Sequence, residues 1–266
     1  MTGTEEDRPP VNEEFRTVSL LRRPYALLAV LFLLVIGCSA GAVQTSAPRG
    51  AAGPESSAVA SPSPEPVRPR EIPGLGPNTR AHIPADARQA VVVTGEGPDA
   101  NRSTAVLYTR DGPALGWRPE AGPWPAHNGL EGWTDLHVAG DLRSPTGVFG
   151  LTDAGGRLAD PGALLPYDEQ PRFAVSGEGF FGEPLDGSFD YVVAINYNRI
   201  PGTTPLDRTR PLGEERGGGI WIHVDHGGPT QGCVSLPEDR MRELLRILDP
   251  VKYPVIVMGD AAALAR

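Results

Sequence analysis

Hydrophobic positions fall into three regimes along the chain. Between Pro24 and Pro48 no residue is charged, and Tyr25–Gly37 is almost wholly apolar. Such a run predicts an export signal or a membrane-spanning helix; extended to Val43 it nears the ~20 residues that a span needs. Residues 44 to about 80 are rich in Ala, Pro, Ser and Gly, as in Ala60–Pro66. They can bury too little apolar area to offset the entropy of ordering, so an extended spacer is expected. From Gln89 onward, short apolar runs are broken by Gly, Pro, Asn and Asp. Ala90–Thr94 and Thr104–Thr109 read as strands joined by a turn at 97–102. Further strand candidates lie at Trp117, Gly147–Leu151, Tyr191–Asn196, Gly219–His223 and Val255–Met258, with a long loop over 152–190.

One stretch has helical spacing. Ser235-Leu-Pro-Glu238 has the form of a capping box, with Ser235 at the N-cap. Met241, Leu244, Leu245 and Leu248 then share a face, and Asp249-Pro250 ends the segment. Many short strands with one clear α-helix predict a mainly β domain, a sandwich or a barrel-like fold. The organisation expected is a signal or anchor over 1–43, a disordered linker over 44–87 and a folded domain over 88–266.

Composition narrows the class. The chain has 266 residues and a net charge of −9, and Lys252 is its only lysine. No basic patch or tail stands out, so nucleic acid is not an expected partner. Arg16, Arg22 and Arg23 precede the apolar run, giving the positive flank of an export signal. The run ends Val35-Ile36-Gly37-Cys38, which resembles the lipobox of bacterial lipoproteins. That resemblance implies lipidation at Cys38; an uncleaved anchor is the alternative. Either reading places the folded domain outside the cytoplasm, tethered to the membrane by the N-terminal anchor or lipid. Cys233 is the only other cysteine, and a lone thiol in an exported domain asks for a chemical reason.

The densest cluster of chemistry-bearing residues is Gly217–Pro237, with His223, Asp225, His226, Thr230, Gln231, Gly232 and Cys233. A strand is expected to end at His223. A Gly-Gly-Pro loop returns the chain, and Cys233 arrives shortly before the helix. A helix N-terminus has free N–H groups and positive dipole character, and both lower a thiol pKa. A histidine across a strand-loop return can serve that thiol as base. Gly232 permits close backbone approach, and the Gly232 and Cys233 N–H groups are candidate oxyanion donors. Thr230 either lines that oxyanion region or shapes the turn, and Gln231 beside it is a candidate substrate contact.

Thr230-Gln-Gly-Cys-Val234, with a strand-end histidine upstream, resembles the L,D-transpeptidase catalytic (YkuD-like) family, in a divergent secreted branch with a Pro-Thr-x-Gly-Cys-Val pattern. Arg143–Phe149 looks like that family's T-P-x-G-x-F segment, and Asp190–Asn198 like the strand bordering its substrate groove. The likeness spans roughly 88–260. Gln231 stands where most members have His, and Ser235 where many have Asn or Arg. The resemblance implies an L,D-transpeptidase-like β fold and a two-step acyl transfer on peptidoglycan stem peptides. Cys233 would form a thioester, with His223 as base and no metal or organic cofactor. A backbone carbonyl would orient the second nitrogen of His223, with Asp225 as a possible side-chain substitute. An amine acceptor would give cell-wall cross-links; water would give L,D-carboxypeptidase activity instead.

Other readings compete. His226 is a reserve base or a loop residue. His127 and His137 are candidate substrate contacts, as are Asn196 and Asn198, whose commoner meaning is strand-end turns. His223-x-x-His226 with Cys233 offers three zinc-compatible ligands, although the Gly-Cys context suits a nucleophile better. A papain-like order would put Cys before His, the reverse of this chain. A wall-binding protein that keeps the fold without turnover is the third class.

Overall fold

In the computed structural model, residues 71–112 and 114–266 are described. The apolar run, Cys38 and most of the spacer lie outside them. No helix among the described residues is long and apolar enough to cross a membrane.

The described chain is mainly β. Its strands are β1 (Gln89–Gly95), β2 (Arg102–Thr109), β3 (Arg118–His127), β4 (Trp133–Thr134), β5 (Ser144–Pro145), β6 (Gly147–Gly156), β7 (Tyr167–Glu169), β8 (Val192–Ile195), β9 (Trp221–Val224), β10 (Val234–Leu236) and β11 (Val255–Asp260). Eight of these form a closed barrel in the order β11-β1-β2-β3-β10-β9-β8-β6, sealed by β6 pairing with β11. Closure leaves no open edge, which a sandwich would have. β7 adds to the far end of β6, and β4 pairs with β5 outside the barrel.

The run Ala90–Val93 has no polar interruption because β1 is covered on both sides. Val91 and Val93 face the main core, while Ala90 and Val92 join a second apolar cluster with Ile72, Leu75, Ala87 and Trp117. β11 divides in the same way, Ile256 and Met258 inward, Val255 and Val257 outward. The second cluster corrects the expected linker boundary. Residues 71–87 are folded: α1 (Pro77–Ala81) follows Ile72 and Leu75, and Gly76 N–H donates to the Leu264 carbonyl at 2.8 Å. Leu264 belongs to α3 (Ala261–Leu264), whose N-cap Asp260 accepts from the N–H groups of Ala262 and Ala263.

The expected helix forms as α2 (Glu238–Ile247), with Met241, Leu244 and Leu245 fully buried in the main core. Its capping differs from the sequence expectation. The N-cap residue is Pro237 and makes no side-chain cap bond. Ser235 lies in β10 instead, and its Oγ donates to Asp225 Oδ1 at 2.6 Å. The strand pairing of β10 with β9 therefore prevails over the local capping pattern. β3 is the strand that hydropathy does not announce: it carries Pro119, Pro123 and Pro125, which donate nothing to a ladder, and touches β10 at one pair, Ser235 with His127.

Candidate active site

The site is built on β9 and β10, which run parallel with Val234 opposite Ile222, Ser235 opposite His223 and Leu236 opposite Val224. Side chains alternate across a strand. Ile222, Val224, Val234 and Leu236 point into the core. That sends His223, Cys233 and Ser235 to the outer face. His223, opposite Ser235, and Cys233, the residue just before β10, thus lie on the same side of neighbouring chain segments. Both line one cavity of about 530 Å³. Parallel neighbours usually need a connection of about a dozen residues, most often helical. Here residues 225–233 make it as a loop. Thr230 anchors that loop across to residues 128–130, its N–H donating to the Asn128 carbonyl and its carbonyl accepting from Leu130, each at 2.9 Å.

Cys233 differs from expectation in one respect. It precedes a strand, with Val234–Leu236 and Pro237 between it and the helix, so it has no helix N-terminus of its own. Burial pushes its thiol up to about 11, against a smaller lowering from the Trp221 N–H, which donates to Sγ at 3.4 Å. The Sγ–H in turn faces the Gly219 carbonyl at 3.7 Å. The oxyanion reading of Gly232 also changes: its N–H donates to Thr230 Oγ1 at 3.1 Å. The Thr230 hydroxyl then donates to the Cys233 carbonyl at 2.6 Å, and Ser144 Oγ reaches that carbonyl at 3.4 Å. Thr230 therefore shapes the turn that presents the cysteine. Gln231 is exposed where it lines the cavity.

His223 is 3% exposed, and burial lowers its pKa to about 4. Its Nδ1 lies 2.8 Å from the Val224 carbonyl. A carbonyl can only accept, so Nδ1 carries the proton and Nε2 is left as the base nitrogen. Asp225 does not serve this role. Its Oδ1 holds His127 Nδ1 at 2.8 Å as well as Ser235. Phe189 stands edge-on to His223 at 5.2 Å.

His226 stacks on His223 with centroids 5.8 Å apart and planes at 9°. Its Nδ1 lies 3.2 Å from Glu183 Oε1. The backbone N–H groups of Glu183 and Phe181, and then His226, hold the Glu183 carboxyl below its ordinary value despite burial. The carboxylate fits because residue 228 is glycine: a β-carbon there would sit 1.9 Å from Oε1.

The structure brings Cys233, His223, His226, Thr230, Gln231 and Gly232 to one cavity. It does not bring Asn196, whose amide is engaged by Thr152 and Arg199 beside the buried Arg199–Asp153 ion pair. Asn198 acts at a distance, its amide donating to the Gly213 and Gly217 carbonyls and so holding the loop before the cavity's Gly217–Gly219 wall. Residues that sequence reasoning passed over include Glu183, Asp141, Ser144 and Asn128. Only Asp141, four residues after His137, carries a readable spacing signal. Among the described residues no cluster of three or more His, Cys, Asp or Glu is arranged to hold a metal ion.

Burial disfavours both charged forms, so the cavity holds a neutral thiol and a neutral imidazole. A neutral thiol and imidazole can generate a nucleophile during attack, by passing the thiol proton to the imidazole as the new bond forms. Compared with protein-family models, with curated proteins and with solved structures, the chain matches none.

Proposed function

We propose that the chain is a cysteine acyltransferase of the L,D-transpeptidase type, acting on peptidoglycan stem peptides from a position outside the cytoplasm, tethered to the membrane. The observation that carries the chemistry is the shared outer face of β9 and β10. It puts Cys233 and His223 into one cavity, with Nδ1 of His223 bonded to a carbonyl and Nε2 left as base. The substrate class rests on the likeness of Thr230–Val234 and its surroundings to that family.

In this reading Cys233 Sγ attacks a backbone carbonyl of the stem peptide. Its proton passes to His223 Nε2 and on to the departing D-amino acid. A thioester remains, and an amine acceptor resolves it to a cross-link. Resolution by water makes the same site an L,D-carboxypeptidase.

The test is intact-mass analysis after incubation with a stem tetrapeptide, followed by an amine acceptor. A covalent adduct lost in Cys233→Ala, insensitive to chelators, supports the reading. Adduct formation by the variant, or activity removed by a chelator and restored by zinc, overturns it. Wall binding without any adduct would make the protein a scaffold.

A further inference from the structure

Three arginines gather at a second cavity, of about 330 Å³, beside the catalytic one. Arg172, Arg208 and Arg210 line it, and Phe173, Leu206 and Trp221 supply apolar wall. It shares Val175, Phe189 and Gly219 with the catalytic cavity. Backbone groups of two of its lining residues touch the candidate nucleophile. The Gly219 carbonyl faces Cys233 Sγ–H at 3.7 Å, and the Trp221 N–H donates to Sγ at 3.4 Å.

The two cavities differ in charge. Among the described residues, the catalytic cavity is lined by no arginine or lysine and by one carboxylate, Glu178. In the second cavity, three guanidinium groups stand against one carboxylate, Asp207, whose Oδ1 accepts from the Thr209 N–H at 2.7 Å. None of the three arginines has an ion-pair partner among the described residues. Arg210 spends Nη1 on the Asp207 and Thr209 carbonyls, at 3.3 and 3.1 Å, which leaves Nε and Nη2. The segment that carries Arg208 and Arg210 is held at both ends. Before it, Arg199 pairs with buried Asp153 and donates to the Thr203 carbonyl at 2.6 Å, and Asp153 Oδ2 accepts from the Gly202 N–H at 2.9 Å. After it, the Leu212 N–H donates to Asn198 Oδ1 at 2.7 Å. Arg210 lies against backbone at Gly218, where a β-carbon would sit 2.3 Å from its Nε.

We propose that this second cavity is a carboxylate subsite, in which Arg208 and Arg210, with Arg172, bind a carboxylate of the peptide whose carbonyl Cys233 attacks. The proposal rests on the acyl-transfer reading above and adds a determinant of which peptides are acylated. A guanidinium presents paired N–H donors that match the two oxygens of a carboxylate, and such charge-assisted bonds are roughly twice as strong as neutral ones. The catalytic cavity offers a carboxylate no such partner, so a peptide bound at Cys233 extends past Gly219 toward the arginines. A stem peptide has two sources of carboxylate, its C-terminus and its side chains, and both present the same chemistry to the site.

The experiment measures the second-order rate constant of adduct formation by intact mass, for the full-length protein and for the double variant Arg208→Gln with Arg210→Gln. Three tetrapeptides are compared: the free acid, its C-terminal amide, and a form with amidated side-chain carboxylates. On the free acid the double variant is expected to react about 10- to 100-fold more slowly than wild type. Amidating the carboxylate that the site holds is expected to slow wild type by a similar factor and to leave the variant unchanged, which identifies the source. If the double variant does not fold, Arg208→Gln alone, at an exposed position, supplies the comparison. Wild-type rates in the folded variant overturn the proposal. So does an equal slowing of the variant on all three peptides, which would mean that the arginines only shape the wall. Binding of the same peptides to Cys233→Ala, with and without the arginine substitutions, needs no acylation. Absence of any adduct in wild type would sink the acyl-transfer reading, while the same pattern in these affinities supports the carboxylate site and its absence overturns it.

Discussion

Strands β9 and β10 carry two faces of opposite character on one hydrogen-bonded ladder. Inward, Ile222, Val234 and Leu236 are fully buried among apolar neighbours, each contributing about 1.5–3 kcal/mol through burial. Outward, one residue away on the same backbone, stand His223, Cys233 and Ser235. The register that the inner face demands also sets where the outer groups sit, because a one-residue slip would exchange the two faces. The outward groups are held by a core they do not join.

That division can be broken from either side. The largest effect is expected from His223→Gln, which removes the proposed base and leaves the inner face intact. Adduct formation, followed by mass, is expected to fall by about 10²–10⁴-fold with the thermal midpoint little changed. An equal loss of stability would mean that the two faces are not separable. Leu236→Ala acts on the other face: chemical denaturation is expected to show a loss of about 2–5 kcal/mol, while the folded fraction acylates at the normal rate.

The turn joining the faces is a finer probe. Thr230→Val keeps the shape but removes the hydroxyl that takes the Gly232 N–H and donates to the Cys233 carbonyl. Losing buried partners costs about 1–3 kcal/mol, and adduct formation is expected to fall roughly tenfold. A rate rise would instead show that the freed Gly232 N–H serves the oxyanion.

Acidity probes the dry environment of the outer face. His223 binds its proton only near pH 4 when folded, against an ordinary value of 6.5. Between those values the unfolded chain holds more protons than the native one, so this histidine makes stability rise with pH and fall on acidification through that window. The neutral base persists throughout it, so adduct formation is expected to decline only near pH 4. An acid limb near 6.5 would contradict the buried, neutral imidazole. The smallest effect is expected from Ser235→Ala: about 1 kcal/mol for one of the two bonds that Asp225 Oδ1 receives, and less than a threefold change in rate.

Much of the inner face was legible in sequence. The apolar runs at Ala90–Thr94, Thr104–Thr109 and Val255–Met258 lie on observed strands, the run Tyr191–Asn196 contains β8, and α2 follows its spacing. β3 was hidden by its prolines, and residues 71–87 by a composition that resembles the spacer before them. At the site, His223 and Cys233 could be paired because one loop joins them in sequence. The Glu183–His226 contact joins segments far apart in the chain, and nothing local announces it. Ser235 fitted a capping box, yet a short strand and the Asp225 carboxylate claimed it. The thiol environment was misread for the same reason: a strand replaced the expected helix start.

The central claim is that Cys233 is the nucleophile of an acyl transfer. Its most direct measurement is the intact mass of the protein after exposure to a stem tetrapeptide, with peptide mapping of the modified residue. The account predicts one added acyl group, mapped to Cys233 and absent from Cys233→Ala. An unmodified protein that nonetheless turns the peptide over, or an adduct elsewhere in the chain, would contradict it.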